Sequence, residues 1–281
     1  MAENTGDSFR RVRVGVALSA DDSEDDTRRA QLDAFCDALA DALGLVVTGQ
    51  RYRHYQELLD GMHAGELDLA WLPPVVALRA TSRGRTIPIA LPVRAGVSSF
   101  HGALFCRPNF AADSAKALRD VRVAWVDRQS AGGYLVIRAS LKSEGVDLAK
   151  AFAHEAFVGS HDAVVHAVLT GAVDVGATFA YVNERRAITR AAWGNADVKV
   201  LALAGPIPAD VVAATIRMPV AMIRKVQTAL CSGGDLLRLA GLDLFSAEAF
   251  IEAKPEHMAA LQKLQTHLAE DPRATSIPPP R

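Results

Sequence analysis

The sequence predicts an α/β protein of two lobes, each a mostly parallel sheet flanked by helices, with a helical C-terminal segment. Three observations predict it. Apolar runs of strand length alternate with amphipathic runs of helix length through the first 94 residues, the pattern of a parallel sheet with right-handed crossovers. A second alternating set starts at Phe100. The chain has 281 residues, enough for two cores of about 100–150 residues each.

Arg11–Leu18 opens the first set, with Val12, Val14 and Val16 on one side of a strand. The acidic run Asp21–Asp26 suits the positive end of a helix dipole. The helix from Thr27 carries Leu32, Phe35, Cys36, Leu39 and Leu43 at three- and four-residue spacing and stops at Gly44. Leu45–Thr48 is a strand, Tyr55–Met62 a helix, and Leu67–Leu72 a strand apolar enough to be covered on both faces. Pro73-Pro74 opens a third helix, where proline fits the first turn. Ile87–Val93 is the fourth strand.

In the second set Phe100–Cys106, Val121–Val126, Ala151–Val158, Val173–Thr178 and Val198–Ala204 read as strands, with Val211–Thr215 another. Gly133–Ser143, His161–Leu169 and Tyr181–Ala192 read as helices. Four more helices follow: Pro219–Leu230, Gly234–Leu239, Ala247–Ala253 and Pro255–Leu268. The expected division is a flexible arm at 1–10, lobe 1 at 11–96, lobe 2 at 97–202, a return to lobe 1 with C-terminal helices at 203–270, and a disordered Pro-rich tail at 271–281. Hinges are expected near Arg94–Ser98 and Val200–Pro206.

Composition narrows the function. Thirty-one basic and 32 acidic residues leave a net charge of −1, no footprint for nucleic acid. No apolar run reaches the roughly 18 residues that a membrane span needs. The N-terminus lacks the apolar core of a secretory signal, which predicts a cytoplasmic protein, or a periplasmic one if a signal peptide has been removed. Cys36, Cys106 and Cys231 are widely spaced among apolar residues and read as buried free thiols. His154, His161 and His166 match no compact zinc spacing. The sequence therefore calls for no metal, no cofactor and no catalytic residue.

In open α/β sheets ligands bind beyond the carboxyl ends of strands, so the residues there are the candidates. In Asp127-Arg-Gln-Ser130-Ala131-Gly132-Gly133-Tyr134 a strand ends and a helix begins. Free N–H groups and a serine hydroxyl at such a turn suit an anion, although a capped turn needs no ligand to explain it. In Gly159-Ser160-His161-Asp162 the serine caps a helix and leaves His161 in the first turn as a donor. Tyr55 starts a helix just after a strand and offers a phenol. Asp68 and Asp174 open apolar strands after similar Gly-x-x-Asp segments, which reads as a shared structural device holding backbone N–H groups.

Together these segments resemble the phosphonate/phosphite-binding family of ABC-transporter solute-binding proteins, which have a type II periplasmic-binding-protein fold. The resemblance spans roughly residues 11 to 250. It rests on the run from Tyr55 through Asp68 to Trp71, on Asp127-x-x-Ser130-x-x-Gly133-Tyr134, on Gly159-Ser160-His161-Asp162, on Gly171-x-Val-Asp174 and on Gly205-Pro206-Ile207-Pro208-Ala209-Asp210. It implies two lobes closing on a small oxyanion. Tyr55, the turn Ser130-Ala131-Gly132-Gly133 and His161 would hold the anion, and Asp174 and Asp210 would take a ligand amine. The family's turn carries three hydroxyls; this one keeps Ser130 and the backbone N–H groups, and the family's aromatic at the start of the lobe-two entry strand is either Phe100 or replaced by Ser99, neither of which supplies a phenol. The implied partners are a small anionic ligand and a protein, either a permease or a regulator. The expected function is ligand binding, as a cytoplasmic sensor or accessory binding protein. The alternatives are a small-molecule enzyme on the same fold and a protein-interaction domain that has lost its ligand.

Overall fold

The computed structural model describes residues 10–17, 25–128, 130–259 and 262. Most of the N-terminal arm, most of the acidic run, the greater part of the last predicted helix and the Pro-rich tail lie outside the described residues. The chain divides into two compact units. Unit 1 takes residues up to Ser98 and again Ala209–Pro255; unit 2 takes Ser99–Pro208 and the residues from Glu256 on.

Unit 1 is built from β1 (Arg11–Ala17), α1 (Asp25–Leu43), β2 (Val46–Tyr52), α2 (Tyr55–Ala64), β3 (Leu69–Leu72), α3 (Pro74–Ser82) and β4 (Thr86–Val93). Its six-stranded sheet is completed from later in the chain by β11 (Val211–Thr215) and β12 (Ala249–Glu252), with α7 (Val220–Ser232) and α8 (Asp235–Phe245) packed beside it. The strand order is β12-β4-β11-β3-β1-β2. The β1–β2 and β1–β3 pairs are parallel, as the alternation requires. β11 lies between β3 and β4, antiparallel to both, so β4 runs with β3 without touching it. The alternating pattern fixes strand direction but says nothing of a distant strand inserted between neighbours.

The core of unit 1 joins Val12, Val14 and Val16 of β1 to Leu32, Phe35, Cys36, Leu39 and Leu43 of α1, the stripe that the 3.6-residue period assigns to one face. Trp71 stacks on Phe245 at 3.8 Å, and Phe35 meets the same ring edge-on. The segment Ala247–Ala253, expected as a helix, instead supplies β12, antiparallel to β4. Phe250 is buried there, and Glu248 and Ala253 donate their N–H groups to the carbonyls of Val93 and Ile89 on β4, which β12 covers as the edge strand. An open sheet edge satisfies these backbone groups better than a short isolated helical turn would.

Unit 2 holds β5 (Ser99–Cys106), β6 (Val121–Trp125), α4 (Val136–Ser143), the short α5 (Leu148–Ala151), β7 (Phe152–Phe157), α6 (His161–Leu169), β8 (Val175–Val182), β9 (Ile188–Ala191) and β10 (Lys199–Pro208). Its sheet runs β10-β5-β8-β6-β7, with β9 paired to β8. β6, β7 and β8 are parallel; β5 is antiparallel to β8 and β10. Tyr181–Ala192, expected as a helix, is the end of β8, a turn and β9. Asn183 closes that turn: its Oδ1 accepts from the N–H groups of Arg185 and Ala187, and Arg186 takes a positive φ of 61°. Asparagine bonding to its own neighbouring backbone is a recognised competitor of helix.

Candidate functional site

In unit 1 a cavity of about 380 Å³ lies where β1 and β3 end. Its wall includes Ala17, Arg28, Tyr55, Trp71, Arg94 and Phe245. Tyr55 is exposed at the first position of α2, whose opening is set by the extended His54. Arg28 sits in the first turn of α1 and donates to the carbonyl of Leu244 at 3.3 Å. Arg94 follows β4 directly. It donates to Asp210 at 2.8 Å and to the carbonyl of Phe245 at 2.8 and 3.1 Å, and lies 5.6 Å from the Trp71 ring centre. The tertiary structure thus groups Tyr55 with two guanidinium groups that sequence reasoning did not select. Asp210 reaches the cavity only through Arg94. Arg94 had a legible signal, its place at the carboxyl end of a strand; Arg28 had none beyond its helix.

In unit 2 the predicted turn exists in a tighter form. Ala131–Leu135 makes a π-helical turn ahead of α4, with Leu135 and Val136 donating to the carbonyls of Ser130 and Ala131. Ser130 caps it, its Oγ accepting from the Gly133 N–H at 3.1 Å. The Gly133 amide is therefore occupied, and the serine keeps its hydroxyl proton for another acceptor. Both glycines are also packing requirements. A Cβ at Gly133 would come within 2.3 Å of Val126, and one at Gly132 within 2.9 Å of the Phe100 ring.

His161 opens α6, which Ser160 caps by accepting from Ala163 at 3.1 Å. The His161 Nδ1 meets the Oγ1 of fully buried Thr178 at 2.8 Å. Burial holds the imidazole below its ordinary pKa, against the carboxylates of Asp127 and Asp162, which pull it up. Asp127 belongs to the loop before Ser130, so the field of that loop reaches His161. An aromatic series also connects the two places: His161 meets Phe179 edge-on at 5.0 Å, Phe179 meets Tyr181 at 5.8 Å, Tyr181 meets Phe100 at 6.4 Å, and Phe100 lies against Gly132. Phe179 and Tyr181 went unselected because their segment read partly as helix.

Asp174 does not join this group. It precedes β8 and is clasped by Arg122 at the start of β6, the opposite end of these parallel strands from Ser130 and His161. Arg122 donates its backbone N–H and Nε to Oδ2 at 2.8 and 3.1 Å and its Nη2 to Oδ1 at 2.7 Å, while Asp174 returns its own N–H to the Arg122 carbonyl. Arg13 and Asp68 repeat the same four bonds in unit 1, between β1 and β3. These carboxylates are spent on strand starts, as the paired Gly-x-x-Asp segments suggested. Among the described residues no group of three His, Cys, Asp or Glu is placed to hold a metal ion. Nor is any described helix long and apolar enough to cross a membrane.

Two α/β units, each with its candidate groups at the carboxyl ends of parallel strands, define a binding protein of the type II periplasmic class. The family described as the periplasmic substrate-binding protein of phosphonate ABC transporters matches residues 17–258, and the chain belongs to that family. It is a substrate-binding protein of the phosphonate ABC-transporter type, in a family of binding proteins rather than enzymes. It is 24% identical over 261 residues to the phosphate-import protein PhnD of Mycolicibacterium smegmatis, covering 88% of this chain and 78% of that one. Solved structures share its fold. PhnD1 of Prochlorococcus marinus in complex with methylphosphonate matches with a TM-score of 0.67 and 20% identity, covering 93% of this chain and 99% of that one. XAC2383 of Xanthomonas citri bound to ATP matches with a TM-score of 0.74 and 19% identity, covering 95% and 100%.

Proposed function

We propose that the chain is a receptor for a small oxyanion, phosphate or a short phosphonate, and that its two units close around that ligand. Family membership supports the ligand class, with one relative named for phosphate import and another solved with methylphosphonate. The observation that carries the reading is the wall of the unit 1 cavity, where the Arg28 and Arg94 guanidinium groups stand with the Tyr55 phenol. Asp210 neutralises Arg94, which leaves Arg28 as the cation for the anion's charge. In unit 2 the candidate donors to such an anion are the Ser130 hydroxyl, the amides of Ala131 and Gly132 and the His161 ring, and the Gly133 amide holds Ser130 in place. Asp174 has no part in binding.

The partner in this reading is a permease that receives the anion. A periplasmic location accords with the family's description better than the cytoplasmic sensor expected from the N-terminal residues. Isothermal titration of the full chain with inorganic phosphate, methylphosphonate and sulfate tests the ligand class, and small-angle scattering with and without the best binder tests closure. Saturable binding of a phosphorus oxyanion with a smaller radius of gyration is the expected result. Neither heat nor thermal stabilisation with any of the three would sink the reading. Fractionation of the native host decides the location.

A further inference from the structure

We propose a second oxyanion site on unit 1, built on His63, Arg85 and Arg217, that takes a phosphate- or sulfate-sized ion. It stands apart from the cavity that holds Tyr55. His63 lies in the last turn of α2, Arg85 immediately before β4 and Arg217 just after β11. Because Thr215 of β11 pairs with Thr86 of β4, these residues gather at the amino ends of β3 and β4, whereas the Tyr55 cavity lies at the carboxyl ends of β1 and β3.

Here a cavity of about 200 Å³ is lined by Met62, His63, Arg85, Thr215, Ile216 and Arg217. Its polar groups converge on His63. Arg85 Nη1 sits 2.8 Å from His63 Nδ1. A guanidinium can only donate, so Nδ1 accepts and the ring proton resides on Nε2. That Nε2 is buried and has no partner among the described residues. Arg217 donates its Nη2 to the His63 carbonyl at 2.8 Å. It can do so because Gly65 caps α2 at a positive φ of 77° with no side chain; a Cβ there would come within 2.1 Å of Arg217 Nη1.

The lining thus holds two exposed guanidinium groups, each hydrogen-bonded to His63, and the ring beside them keeps a buried N–H without an acceptor. Such a set calls for a ligand that accepts from several directions and donates nothing, which is an oxyanion. Burial first, then Arg85, Arg83 and Arg217, press the His63 ring towards neutrality. The nearby carboxylate opposing them is Asp60, and its Oδ1 is engaged by Gln56 at 2.9 Å. A cavity of this volume suits a single ion.

The test is nuclear magnetic resonance of the full chain labelled with ¹⁵N-histidine, following the His63 ring during titration with inorganic phosphate. Chloride at matched ionic strength and constant pH is the control, and H63Q assigns the signal. A saturating His63 shift is expected with phosphate and not with chloride. R85Q should weaken the apparent affinity about tenfold or more, the effect of one charge-assisted hydrogen bond. R217Q should do the same, with partial recovery in R217K. H161A and R28A should leave the His63 titration intact, so this site and the receptor reading can fail separately. A linear or chloride-equivalent shift would overturn the proposal, as would an R85Q titration that matches the native chain. Should R217Q unfold because Arg217 also holds α2, R85Q decides alone, since the hydrogen bond described for Arg85's side chain is to His63.

Discussion

The Phe100 ring occupies the space that any side chain at Gly132 would need, with 2.9 Å between the ring's Cε2 and an ideal Cβ at that glycine. A hydroxyl therefore cannot be restored at position 132 without moving the aromatic, whereas position 131 already carries a Cβ. G132S should lower stability by about 1–3 kcal/mol, the usual cost of overpacking. G132S/F100L should recover most of the loss, and both changes are read by thermal unfolding. A G132S protein as stable as the native chain would show that the ring yields freely.

The Arg–Asp clasps at the strand starts make a second prediction. Asp68 is nearly buried, with 5% of its side chain exposed, so D68A leaves Arg13 without its partner and should cost about 3 kcal/mol. The Arg122–Asp174 pair is more exposed, so D174N should cost less and leave oxyanion affinity within about twofold, far below one charge-assisted bond. The Arg122 hydrogen bonds hold the Asp174 carboxyl below the usual carboxylate range. A depressed carboxylate contributes stability that is complete above its unfolded value and is lost as pH falls. The gap between native and D174N melting temperatures should thus narrow below about pH 4.

His161 gives a pH dependence of its own. Burial lowers its folded pKa, so as pH drops the unfolded chain takes up this proton first. Stability should therefore rise with pH from the lowered folded value up to about 6.5, the ordinary histidine value, and be flat above it. H161Q should reduce that slope, leaving the part due to His63 and His101, whose pKa burial also lowers. Chemical denaturation between pH 5 and 8 measures it, and equal slopes in both proteins would remove His161 as the cause.

For binding itself, R28A should weaken the oxyanion about tenfold and Y55F about two- to tenfold, the loss of a charged and a neutral hydrogen bond respectively. Neither should shift the melting temperature appreciably, because both side chains line a cavity rather than the core. R94A is a poorer probe: it leaves Asp210 unpaired and the Phe245 carbonyl without its donors, so stability should fall along with affinity. Titration calorimetry paired with melting curves separates these cases.

Much of this was legible from the chain alone. The α1 stripe, the Ser130 and Ser160 caps and the Asp68/Asp174 parallel all follow from rules acting over a few residues, and the structure bears out each. The misread segments share one cause. Ala247–Ala253 and Tyr181–Ala192 have apolar spacing compatible with either period, and they became strands because β4 and the end of β8 beyond β6 offered unpaired backbone. Arg28 and Arg94 were passed over for a similar reason: an arginine's meaning depends on what stands across from it.

By itself, then, the order of residues determined the α/β class, the two alternating sets and the serine-capped turns at Ser130 and Ser160, because periodicity and capping are local. Only the tertiary structure decided that β11 would separate β3 from β4, that Asp174 would be spent on Arg122, and that Arg28 would share a cavity with Tyr55. Those outcomes depend on contacts between residues far apart in the chain, where burial and pairing outweigh local preference.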